Sequence, residues 1–142
     1  MTAATTFDRI DYARPFAERI GGRIYARFRL GPDGQPSFKI IDDLQHFTID
    51  CYLHSPRASE IYEVQYVMKD PTFYDPVGFS AEATDDFHEV VESYGEVPVE
   101  VRVLLGGSVY TQQTRLSAML ENGHAQDMTP AIEDAIQRIK ST

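Results

Sequence analysis

The sequence predicts an all-β fold, a small antiparallel β-sandwich with helix only at its two ends. Three observations carry this reading. Apolar residues recur with a period of two in four separate runs, the mark of strands with one face in a core. Gly, Pro and Asp cluster between the runs at short intervals, which suits a sandwich and not βαβ units. Helical spacing and capping chemistry occur only near the termini.

In chain order, residues 15–20 are expected to form a short helix, stopped by Gly21-Gly22. Ile24, Ala26, Phe28 and Leu30 form the apolar face of a first strand, between Tyr25, Arg27 and Arg29. Gly31-Pro32-Asp33-Gly34 then reverses the chain into a strand over 37–41, because Pro presets φ and Gly accepts positive φ. Phe47, Ile49, Cys51 and Leu53 form a further apolar row, opposite Thr48, Asp50 and His54. After a loop at 54–57, Tyr62, Val64, Tyr66 and Met68 alternate with Glu63 and Gln65. Asp70-Pro71 and Asp75-Pro76 bracket a kinked segment. Val97, Val99, Val101, Val103 and Leu105 are the clearest strand, and Gly106-Gly107 links it by a hairpin to a strand over 109–116. Residues 122–128 read as a flexible link. Thr129 then caps a C-terminal helix, with Pro130 at its first position and Ile132, Ile136 and Ile139 on one face. The expected organisation is an N-terminal extension, partly helical, over 1–22, the sandwich over 23–120, and a linker with the C-terminal helix over 121–142.

A chain of 142 residues with 42% hydrophobic content can bury a core without a disulfide or metal staple. Its one cysteine, Cys51, excludes an internal disulfide. The first eight residues carry no basic segment followed by an apolar run, and no apolar stretch approaches the length of a membrane span. The expected location is cytoplasmic, with no membrane contact. The formal net charge is -9. Between Lys69 and Arg102 there is no Lys or Arg, while Asp70, Asp75, Glu82, Asp85, Asp86, Glu89, Glu92, Glu96 and Glu100 fall there. Such a field repels phosphate backbones, so nucleic acid is not an expected partner. It either attracts a lysine-rich partner or forms a solvated face.

Signatures of catalysis are missing. The sequence has no Gly-rich phosphate loop, no HExxH, no CxxC and no G-x-S-x-G elbow. His46, His54, His88 and His124 show no metal-ligand spacing and read as surface or loop histidines. Cys51 lies on an apolar strand face, where an inert buried thiol is expected. Neither a cofactor nor a metal is expected, and the chain reads as non-enzymatic. Its many carboxylates leave open only a hydrolase hidden among them.

Two segments carry the binding argument. In Tyr66-Val67-Met68-Lys69-Asp70-Pro71-Thr72-Phe73-Tyr74-Asp75-Pro76 a strand ends in a Pro-punctuated loop with a hydroxyl beside an aromatic ring. In Phe87-His88-Glu89-Val90-Val91-Glu92-Ser93-Tyr94-Gly95-Glu96-Val97 an aromatic residue sits in a turn before the alternating valines. Two rings and a hydroxyl at one end of a sandwich can grip a flat amide, by stacking on its faces and bonding its edge.

Together these segments resemble the YEATS domain family, its prokaryotic YEATS-like branch more than the eukaryotic one. The likeness is strongest over 47–105 and extends over 23–120. It implies an immunoglobulin-like sandwich whose loops hold an acetyl- or crotonyl-lysine between two aromatic rings. Phe73 and Tyr94 would be those rings, and Thr72 would offer its hydroxyl to the acyl amide. The backbone at Tyr94-Gly95 would donate to the acyl carbonyl, and Phe47 or a nearby residue would close the far end. Two positions depart from the pattern. Asp70 stands where many readers have a histidine, and Ser93 replaces the glycine before the second aromatic. Other roles stay open for the same residues: Tyr94 as a corner that bonds backbone, Phe73 as a plug of the core, Thr72 as a turn cap. The implied function is a reader of an acylated lysine in a peptide or protein. The alternative is a protein–protein adaptor of a prokaryotic signalling or conflict system, with no acyl pocket and able to form a homodimer through an exposed sheet edge.

Overall fold

The structure, a computed structural model, describes residues 13–71, 73 and 76–142. Residues 1–12 of the expected N-terminal extension lie outside the described residues. The elements follow in the order α1 (Ala13–Arg19), β1 (Arg23–Phe28), β2 (Phe38–Ile41), β3 (Leu44–His54), β4 (Ile61–Met68), β5 (Val77–Ser80), β6 (Glu89–Ser93), β7 (Pro98–Leu105), β8 (Ser108–Arg115), α2 (Leu116–Gly123) and α3 (Pro130–Lys140). The strands form two antiparallel sheets, the sandwich that the period of two predicts. In the first, β6 runs along one side of the long β3, while β1 and then β2 follow one another along the other side. The second has the order β5-β4-β7-β8.

Alternation explains the core. Phe47, Ile49, Cys51 and Leu53 are buried from the first sheet, and Val64, Tyr66, Met68, Val99, Val101 and Val103 from the second. Each such aliphatic side chain contributes about 1.5–3 kcal/mol on burial, so these rows hold the sheets together. The Tyr66 hydroxyl, deep in this layer, donates to the Phe87 carbonyl at 2.8 Å. The hairpins obey turn chemistry: Gly106 and Gly107 both have positive φ, as a two-residue connection requires. Asp42 and Asp43 do the same between β2 and β3, at φ 51 and 64, a conformation that Asp tolerates better than most residues.

Tyr62 departs from the expected row. Ile61 pairs with Leu105 and Glu63 with Leu104, so β4 carries one extra residue between them. The bulge turns Tyr62 out to solvent, 76% exposed, and brings Val64 back into phase. Leu30 is also exposed, because the chain leaves β3 after Arg29 and returns only at Ser37.

The C-terminal third is better ordered than the sequence suggests. The last strand ends at Arg115, and α2 begins at once, with Leu116, Met119 and Leu120 buried at helical spacing. Residues 122–124 are not a loose link. Asn122 donates to the Ile24 carbonyl at 3.2 Å, and the Phe28 N–H donates to Nε2 of His124 at 3.0 Å. The Arg27 guanidinium donates to the Gly123 carbonyl. This short run covers the outer edge of β1, which otherwise would present unpaired backbone. His124 is therefore fully buried and not a surface histidine.

Helix α3 follows its sequence signals. The Thr129 hydroxyl accepts from Ile132 N–H at 3.2 Å, Pro130 opens the helix, and Ile132, Ile136 and Ile139 are buried. It closes the end of the sandwich where β6 gives way to β7. There Arg138 donates to Gln45 at 3.0 Å, and Thr142 lies against Gly95. Among the described residues no helix is long and apolar enough to cross a membrane.

Candidate ligand-binding site

The two loops singled out by their residues leave the sandwich at the same end. The Lys69 N–H donates to the Pro98 carbonyl at 2.8 Å, which ties the start of one loop to the end of the other. Ser93 closes the turn that carries Tyr94: its Oγ donates to the Gly95 carbonyl at 2.8 Å and accepts from the Gly95 N–H at 3.3 Å. The Tyr94 ring lies 5.1 Å from the His46 ring, tilted by 58°. With Asp43, Leu44, Gln45, Phe47, Arg138 of α3, and Ser141 and Thr142 just beyond it, it lines a cavity of about 390 Å³. That volume falls within the range of small-ligand pockets.

Of the six residues that the resemblance suggests, Phe47 and Tyr94 are brought together on this cavity. Phe47 is buried edge-on between Phe28, at 5.3 Å, and Phe38, at 6.0 Å, so it forms the floor. Gly95 is buried beside Thr142, and its N–H is engaged by Ser93 instead of facing the cavity as an acyl donor. Phe73 stands apart. Its N–H donates to the Asp70 carbonyl at 3.2 Å, and its half-buried ring packs against the core, as the plug role would have it. No ring contact joins Phe73 to Tyr94 among the described residues; the ring beside Tyr94 is His46. Thr72 lies outside the described residues. His46 carries no motif, and only its register beside β6 brings it to Tyr94.

A second cluster, on the outer face of the first sheet, is invisible in the motifs. The Arg23 guanidinium sits 4.7 Å over the Tyr25 ring, Tyr25 stacks on Tyr52 at 4.9 Å, and Tyr52 stacks on His88 at 5.0 Å. Nε2 of His88 lies 2.6 Å from Asp50, which also accepts from Arg29 at 2.6 Å. The Tyr25 hydroxyl donates to Asp86 at 2.8 Å. Asp86 and Phe87 both sit in the left-handed region, at φ 49 and 51. For a bulky residue such as Phe87 this costs on the order of 1–3 kcal/mol, sustained here by the fully buried ring. The kink aims Asp86 at Tyr25 and His88 at Asp50. Burial, then the bond to Asp86, pushes the Tyr25 phenol up to about 12. Burial raises the Asp50 carboxyl, but the bonds from Arg29 and His88 outweigh it and hold the group below its usual range. The Tyr25 and Tyr52 rings are each engaged by two neighbours, so this ladder serves to brace the 82–88 loop to the sheet.

Cys51 is fully buried, and burial pushes its thiol up to about 12, which leaves it inert at neutral pH. Among the described residues no group of three or more His, Cys, Asp or Glu side chains could hold a metal ion.

Fold and cavity together define a two-sheet antiparallel β-sandwich with a small cavity at one end, between a loop aromatic and a C-terminal helix. In comparisons with known proteins, no family model matches the chain and no curated protein matches it.

Proposed function

We propose that the chain is a binding module that holds an acylated lysine side chain in the cavity beside Tyr94 without converting it. The observation that carries this reading is the meeting of Tyr94, which the second motif names, with Phe47, which the resemblance suggests, on one open cavity. The Tyr94 ring offers a face to a planar amide. Phe47 and Leu44 offer apolar surface to the acyl chain, and Gln45 and Ser141 offer partners to the amide edge. Asp43 and the acidic stretch over 82–100 favour a cationic peptide around the modified lysine. With one stacking ring worth ~1 kcal/mol beyond its burial, affinity for a short peptide is weak. Phe73 serves by holding its loop.

The test is an NMR titration with acetyl-lysine, crotonyl-lysine and unmodified lysine peptides of one sequence. Saturable shifts around Tyr94 and His46 are expected for the acylated peptides only, lost in Tyr94→Ala and kept in Phe73→Leu. An equal response to all three peptides overturns the proposal. The adaptor reading has its own support in β2, where all four residues are exposed and three are apolar.

A further inference from the structure

Strand β2 is an edge with which no further described strand pairs. It pairs with β3 on one side only, and Phe38, Lys39, Ile40 and Ile41 are all exposed. Ile40 is 60% exposed and Phe38 46%, while Ile41 and Leu44, across the turn, are exposed as well. Exposed apolar edges are normally blunted by shortness, charge, proline or a covering element, and β2, though only four residues long, exposes three apolar side chains. The β1 edge is covered by residues 122–124. No described strand pairs with the outer edge of β2, although α3 borders the Phe38 face through Ala131, Asp134 and Ala135, and the one charge on the strand, Lys39, is already paired with Glu92 at 3.2 Å.

From this geometry we infer that β2 pairs with β2 of a second copy of the chain, antiparallel about a two-fold axis at Ile40, so that the first sheet continues across the dimer. This surface does not depend on the acyl-lysine reading, since β2 and Tyr94 lie on opposite sides of β3.

The shape of the patch selects a strand as its occupant. Phe38 and Ile40 share the face of Phe47 and Gln45, their partners on β3, while Ile41 shares the other face with Leu44. Only a partner that straddles the edge covers both faces. The open edge also has backbone to offer. The Ser37 carbonyl accepts from Thr48 N–H at 3.1 Å, so alternation turns the main-chain groups of Phe38 and Ile40 outward.

The register selects a second copy. A two-fold axis at Phe38 would set Ile40 opposite Pro36, which has no N–H to give. An axis at Lys39 would set two lysines directly opposite each other. An axis at Ile40 avoids both: Ile40 meets Ile40, Lys39 meets Ile41, and Phe38 meets Asp42. It keeps the two acidic turns at opposite ends of the shared ladder. Moving the axis further shortens the overlap and loses Phe38. The strand is thus complementary to itself in one register.

The area is sufficient. Leu30, Phe38, Ile40 and Ile41 together present roughly 400 Å² of apolar surface, the size of the largest patch on a typical monomer. Two copies bring about 800 Å², which with the usual polar share reaches the ~1,200–1,600 Å² of a specific interface.

The experiment uses light scattering on the full chain, then oxidative cross-linking of single-cysteine variants. Cys51 is buried, so an introduced thiol is the only reactive one. A mass of two chains is expected for the parent and of one chain for Ile40→Glu, whose urea midpoint should match that of the parent diluted until it is monomeric, because the side chain is exposed in the single chain. Ile40→Cys should form a disulfide-linked dimer, and Lys39→Cys should not. A monomeric parent, a dimer that survives Ile40→Glu, or cross-linking at residue 39 in place of 40 each overturns the inference.

Discussion

Gly123 is the sharpest test of how the C-terminal third is seated. A Cβ added there would stand 2.7 Å from the Ala26 carbonyl carbon, closer still to its oxygen, and 3.2 Å from its nitrogen. All three atoms are backbone of β1, which is held to β3 along its other side, so α2 would have to move. Intrinsic propensity argues the other way, since Gly→Ala within a free helix gains ~1 kcal/mol. Lifting α2 from β1 breaks the bonds from Asn122 to Ile24, from Phe28 to His124 and from Arg27 to Gly123. It also loosens Leu116, Met119 and Leu120, all fully buried. At about 1 kcal/mol per bond, with more for the buried Phe28 N–H left without an acceptor, Gly123→Ala should cost roughly 3–5 kcal/mol. That is a large part of the ~5–15 kcal/mol typical of a domain. Urea unfolding followed by circular dichroism reads it as a lower midpoint at unchanged slope. A variant as stable as the parent, or more so, would refute the seating of α2 on β1.

Two further outcomes follow from the same contacts. Burial lowers the His124 pKa despite the opposing bond to Asp127, and its Nε2 must stay unprotonated to accept from Phe28. The unfolded chain therefore takes up this proton first as pH falls below about 6.5, so stability is full above that pH and declines beneath it. Urea midpoints between pH 7.5 and 5 should fall more steeply for the parent than for His124→Gln; equal slopes would contradict a neutral buried imidazole. The β4 bulge separates two tyrosines that an unbroken alternation would treat alike. Tyr62→Ser should change stability by no more than ~0.5 kcal/mol, whereas Tyr66→Phe, which strands the buried Phe87 carbonyl, should cost ~1–3 kcal/mol. Comparable losses at both positions would place Tyr62 in the core.

Features decided by neighbours in the chain are legible in the residues themselves. The inner rows of β3, β4 and β7 follow from period-two alternation. The Gly106-Gly107 hairpin follows from positive φ, and α3 follows from Thr129, Pro130 and three isoleucines on one face. These are local: each depends on backbone sterics or on the partition of side chains from water within a few residues. The inert state of Cys51 follows from its place in such a row.

Tertiary structure alone decided the rest, because it turns on register and on contacts far apart in sequence. The bulge that expels Tyr62 exists only against β7. The burial of His124 requires a strand almost a hundred positions earlier to present the Phe28 N–H. Tyr94 finds His46 and Phe47 instead of Phe73 because β6 pairs with β3 while Phe73 turns onto the core. The cavity has its outer wall only because α3 folds back over that end of the sandwich. Local preference specifies strands and turns; the packing of distant segments, which no short window contains, specifies which side chains meet.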